Sequence, residues 1–128
     1  MIVSENTQNE FVFTTRIEFS SSQGDEYIIM REFNTQELAQ ITAAGRYKSN
    51  GEIENTSAFM EQAEKIFPQC VVESSFAKEN GSKLSGRELY DVIKKSSSLF
   101  TEILHVWLSS NNNEKTSRVK KDGGNPLA

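Results

Sequence analysis

A chain of 128 residues suits a single domain and can bury one core without help from disulfides or metals. Its 14 Lys and Arg against 18 Asp and Glu leave a formal charge of −4, which argues against nucleic-acid binding because that normally needs a basic face. A single cysteine excludes an internal disulfide and so gives no argument for secretion.

The opening stretch, MIVSENTQNE, has no basic region followed by an apolar run, so it does not read as a signal peptide. Apart from Ile2 and Val3 it is polar, and residues 1–10 are expected to be a flexible N-terminus. A globular domain over residues 11–110 is expected to follow. In FVFTTRIEF, Phe11, Phe13, Thr15, Ile17 and Phe19 alternate with Val12, Thr14, Arg16 and Glu18, the period of a half-buried strand. SSSQGDE supplies turn chemistry at Gly24-Asp25, and YIIMREF reads as a second strand, giving a hairpin with a loop longer than two residues.

At FNTQELAQI the period becomes helical. Asn34 and Glu37 have capping-box spacing, with Phe33 and Leu38 as a hydrophobic staple, and Leu38, Ile41 and Ala44 form an apolar stripe before Gly45. YKSNGEIEN is a loop, after which a second helix over about 57–67 aligns Phe59, Ala63, Ile66 and Phe67 and is stopped by Pro68. KLSGRELYDVI repeats the start signal, with Ser85 and Glu88 as capping box, Leu84 and Leu89 as staple, and Leu89, Val92 and Ile93 as the buried face. KKSSS interrupts it, since serines compete for backbone hydrogen bonds.

LFTEILHVWL then forms a last helix that is apolar over more than half its circumference: Leu99, Ile103, Val106 and Trp107, with Phe100, Leu104 and Leu108 beside them. It is too short to span a bilayer and contains Glu102 and His105, so a soluble, cytoplasmic protein without membrane association is expected. Residues 111–128 offer only Val119, Leu127 and Ala128 as apolar groups and read as a flexible polar tail. The fold class is therefore α+β: an N-terminal β-hairpin packed with a bundle of about four short helices.

Chemistry is sparse. Cys70, in IFPQCVVESSF, has no neighbouring base in sequence, and the one histidine, His105, sits on a helix among Leu104, Val106 and Trp107. A lone cysteine between Pro68 and Val71-Val72 reads as a small buried residue. One cysteine and one histidine cannot close a zinc shell, the acidic pairs Glu52/Glu54 and Glu61/Glu64 read as solvated surface, and no glycine-rich phosphate loop exists. No catalytic, cofactor-binding or metal-binding residue is assigned, and a non-enzymatic protein is expected.

The order of these pieces resembles the small tail assembly chaperones of long-tailed phages and prophages, the XkdN-like group. REFNTQELAQI is similar to that family's extended segment running into a Thr-x-x-Glu-Leu helix start, and CVVESSF to its Cys/Ala-Val-Val-Glu-Pro signature. LSGRELYDVI and the final LHVWLSS complete a likeness over about residues 26–110. Ser74 stands where the family has proline, and Ser96-Ser97-Ser98 replaces its Gly-Glu pair.

The resemblance implies a protein that binds the tape measure protein, the tail tube protein, or both during assembly and is absent from the mature particle. It also implies that CVVES is a structural connector. A homo-oligomer is compatible with that role. The candidate partner-binding strip is Leu104, Trp107 and Leu108, because aromatic residues dominate binding hot spots; the competing expectation is that Trp107 fills the core. Two other readings stand beside it: a structural tail component such as a completion or connector protein, and a small cytoplasmic regulatory binding protein.

Overall fold

The computed structural model describes residues 11–45 and 56–111. The expected flexible N-terminus, the loop between the first two helices and the expected polar tail beyond Asn111 lie outside the described residues.

Seven elements follow one another: β1 (Thr14–Ser21), β2 (Gly24–Arg31), α1 (Thr35–Ala44), α2 (Thr56–Cys70), β3 (Val71–Ser74), α3 (Gly86–Ile93) and α4 (Ser97–Asn111). The strands make one antiparallel sheet in the order β1-β2-β3, so the fold is α+β. The β1–β2 hairpin closes through two residues, Ser22 and Gln23, with Ser21 paired to Gly24. That loop is shorter than the sequence suggested. Gly24 adopts φ +127°, a backbone region that L side chains rarely enter, and this lets β2 begin immediately after the turn.

Alternation places Ile17, Ile28 and Met30 on the buried face of the sheet. The opposite face is polar. Arg16 lies over the Tyr27 ring at 3.9 Å and pairs with Glu18 at 2.7 Å, while the Tyr27 hydroxyl donates to Glu73 at 2.5 Å across from β2 to β3.

Both capping boxes form. Asn34 and Ser85 accept from the backbone N–H of Glu37 and Glu88, and each glutamate reaches back to its cap's own N–H. A break also forms between α3 and α4, but only over Lys94, Lys95 and Ser96; Ser97 and Ser98, expected to interrupt the chain, are the first residues of α4. Pro68, however, does not stop α2; it lies inside the helix, which runs on to Cys70. Phe67 and Cys70 are both fully buried, and that packing outweighs the backbone bond a proline removes. Four further residues, Val71–Ser74, then pair with β2 as a third strand that the sequence did not reveal.

The core gathers one face of every long element. Ile41 comes from α1, Phe59, Ala63, Ile66, Phe67 and Cys70 from α2, Leu89, Tyr90 and Ile93 from α3, and Phe100, Ile103, Leu104 and Trp107 from α4. Aromatic rings run through it in contact, from Phe33 to Trp107 to Phe67 to Tyr90 to Phe100, with centroids 4.8–5.6 Å apart.

Candidate functional site

Three element ends meet inside the domain: Arg31 at the end of β2, Glu37 in the first turn of α1, and Cys70 at the end of α2. Glu37 is 4 % exposed, an unusual place for a carboxylate, and both of its oxygens accept hydrogen bonds. Arg31 Nη1 donates to Oε1 at 2.7 Å and Nη2 to Oε2 at 2.9 Å, a bidentate fork. Asn34 N–H donates to Oε1 at 2.9 Å, and the Cys70 thiol approaches the same oxygen at 3.8 Å.

Burial pushes the Glu37 carboxyl up, but the Arg31 hydrogen bonds, the Asn34 N–H, the Arg31 charge and the thiol together hold it below the ordinary carboxylate range. The Cys70 thiol moves the other way. Burial pushes it up to about 12, with Glu37 adding to the shift and Arg31 opposing it. A nucleophilic cysteine requires a depressed pKa and access to substrate, and Cys70 has neither. It is a core residue and a weak donor to Glu37.

His105 is exposed on α4, about a groove of 260 Å³ that also has Ile17, Phe19, Leu99, Ile103 and Val106 on its walls. Among the described residues His105 has no hydrogen-bond or ion-pair partner, and it does not meet Cys70. Nor do the described residues gather three His, Cys, Asp or Glu side chains in a group that could hold a metal ion. No described helix is long and apolar enough to cross a membrane.

Of the two sequence-based expectations for Leu104, Trp107 and Leu108, the structure bears out the one in which Trp107 fills the core. Trp107 is fully buried between Phe33 and Phe67, Leu104 is buried, and Leu108 is half-buried against the same core. These residues stabilise the domain and do not form an exposed strip. Among the described residues the large apolar side chains that face solvent are Phe11, Leu38, Val72, Val92 and Val106. Val72 is the most open of these, 58 % exposed, and adjoins a groove of about 360 Å³ with Val12, Thr14, Arg31, Gln69 and Val71. Spacing did not single it out, because a four-residue strand carries almost no period.

The expected stripe of α1 is also rotated. Ile41 is buried as expected, but Glu37 takes the inward position and Leu38 is 44 % exposed. Phe33, the expected staple partner of Leu38, packs edge-on against Trp107 instead. No protein family, curated protein or solved structure matches this chain.

Proposed function

We propose that the protein is a non-enzymatic tail assembly chaperone of a phage or prophage, binding the tape measure protein, the tail tube protein, or both before assembly. The observation that carries this reading is Val72. It belongs to CVVES, one of the stretches that carry the resemblance, and it stands open to solvent beside a groove in which Val12 and Val71 are flanked by the polar Thr14, Gln69 and Arg31, while Cys70 and Ser74 are buried. Exposed apolar surface with a polar rim marks a protein-binding site. The same stretch offers no chemistry, since its thiol is sealed and protonated. The partner's contact is thereby assigned to β3 and the Val12–Val72 groove, in place of Leu104, Trp107 and Leu108.

The test is co-expression with the tape measure protein encoded beside it, whose gene is expected to lie immediately downstream and to be very long and helix-rich. The soluble yield of that protein should rise. Val72→Asp should abolish the increase while leaving the circular dichroism spectrum intact, because an exposed side chain contributes little to folding. Stoichiometric recovery of the protein in purified mature particles, without any effect on tape measure solubility, would replace this reading by that of a structural tail component.

A further inference from the structure

The open edge of β1 is self-complementary, and we propose that it pairs with the β1 edge of a second copy to form a two-fold dimer with a continuous six-stranded sheet. The tail partner is assigned to β3 and the Val12–Val72 groove, which shares only Thr14 with this edge.

The backbone sets which residues face outward. Glu32 N–H donates to the Phe13 carbonyl at 2.9 Å, so Phe13 directs its main-chain groups toward β2. The β1–β2 register is unbroken from Thr14↔Arg31 to Ser21↔Gly24, so the same phase holds at Thr15, Ile17, Phe19 and Ser21. Thr14, Arg16, Glu18 and Ser20 therefore direct their N–H and C=O groups away from the sheet. Among the described residues no strand pairs with that edge. Eight residues of unbroken strand are a long edge to leave open, and proteins normally blunt such edges or use them.

Charge selects the occupant and the register. Antiparallel self-pairing centred on Arg16 would oppose two arginines, and pairing centred on Glu18 would oppose two glutamates. Centring on Ile17 places Arg16 of each copy opposite Glu18 of the other, twice, on the polar face of the sheet. It also puts the outward-directed main-chain groups of Arg16 and Glu18 in hydrogen-bonding phase. Opposite charges directly across a ladder favour pairing and like charges oppose it. Ile17 then lies on the two-fold axis facing the helical layer, where the groove with Phe19, Leu99, Ile103 and Val106 runs beside the edge. Val106 is 40 % exposed in the single chain, and the second copy covers that groove.

The experiment is sedimentation equilibrium on the full chain over a dilution series, with amide exchange on the same samples. The wild type should dimerise, and the Arg16 and Glu18 amides should gain protection as dimer forms. Glu18→Arg should lower the association constant by roughly tenfold or more, because two attractive pairs become repulsive. Arg16→Glu should do the same.

The exchanged double variant, Arg16→Glu with Glu18→Arg, should recover dimerisation, which separates loss of pairing from loss of folding. Glu18→Pro should remain folded but monomeric, since it removes only an outward N–H. A monomeric wild type overturns the proposal. Its overturning is equally clear if those two amides are protected in a monomer, which would mean another segment of the chain occupies the edge. Single charge variants that dimerise like the wild type, or a double variant that fails to recover, overturn it too.

Discussion

Glu37 and Cys70 share a buried polar contact whose parts act in opposite electrostatic directions. Removing Arg31 leaves the Glu37 carboxylate buried without its fork, and Arg31→Ala is expected to cost about 3 kcal/mol, as for other broken buried pairs. Arg31→Met combined with Glu37→Gln should cost much less, because no bare charge remains. The pH dependence gives a second check. In the wild type the Glu37 pKa is depressed, so its contribution is present above the ordinary value of 4.5 and is lost as pH falls through the folded value. Without Arg31 its hydrogen bonds and charge no longer offset burial, so the folded value rises. The difference in unfolding free energy between wild type and Arg31→Ala should therefore narrow as pH falls from the variant's higher folded value to the depressed wild-type one, measured by urea titration.

Cys70 has a raised pKa, so its contribution is intact below the ordinary 9.0 and drains away as pH rises toward about 12. At neutral pH the native thiol should react with disulfide reagents only as fast as the protein opens. Cys70→Ala should leave partner binding unchanged and cost about 1 kcal/mol in lost packing. A mutant that folds but has lost function would show that the thiol has a role its burial does not suggest.

At the scale of elements, the helix starts are governed locally and their mutual positions are not. The two capping boxes each satisfy orphan N–H groups within four residues of chain. What seats α3 against α2 is a close backbone approach. A Cβ on Gly86 would fall 2.1 Å from the Pro68 carbonyl oxygen and 2.9 Å from its carbon, both backbone atoms that cannot swing away. Gly86→Ala should gain at most about 1 kcal/mol from helix propensity. Forcing the two helices apart costs about 1–3 kcal/mol, as overpacking does, so the net effect should be destabilisation, read as a lower midpoint in thermal unfolding.

The other end of the domain is tied through Asn111. Its Oδ1 accepts from Phe33 N–H at 2.7 Å and its Nδ2 donates to the Trp107 carbonyl at 2.9 Å, so the last residue of α4 holds the strand-to-helix junction. Asn111 thus belongs with the domain and not with the tail that the sequence assigned from residue 111.

Across the whole molecule, Trp107 joins the layers. It touches Phe33, which follows β2, and Phe67, in α2, and its indole N–H is buried without an acceptor among the described residues. As the only tryptophan, it reports on the entire core. Its emission should be blue-shifted in the native state, and its unfolding transition should coincide with that of far-ultraviolet circular dichroism, as a single cooperative core requires. Trp107→Ala should cost about 3–5 kcal/mol, whereas a strip made only for a partner would tolerate it. Separate transitions by the two probes would show that sheet and helices unfold independently.

The sequence by itself determined the features encoded within a few neighbouring residues. These are the alternation of β1, the caps at Asn34 and Ser85, the existence of a break after Ile93, and the absence of any local signature around Cys70. Each depends on spacing that can be read along the chain. The tertiary structure alone decided which of two adjacent faces turned inward. Leu38 and Glu37 differ by one position on α1, and burial of the charged one depends on Arg31, which β2 holds within 2.7 Å, and on Cys70, 33 residues further on. Likewise, α4 is apolar over most of its circumference, so periodicity could not say that Trp107 is sealed while Val106 is open. The short strand β3, with Val72 at the surface, exists because β2 offers it a hydrogen-bonding edge. Such an edge is a property of the assembled sheet, and four residues of VVES do not carry it on their own.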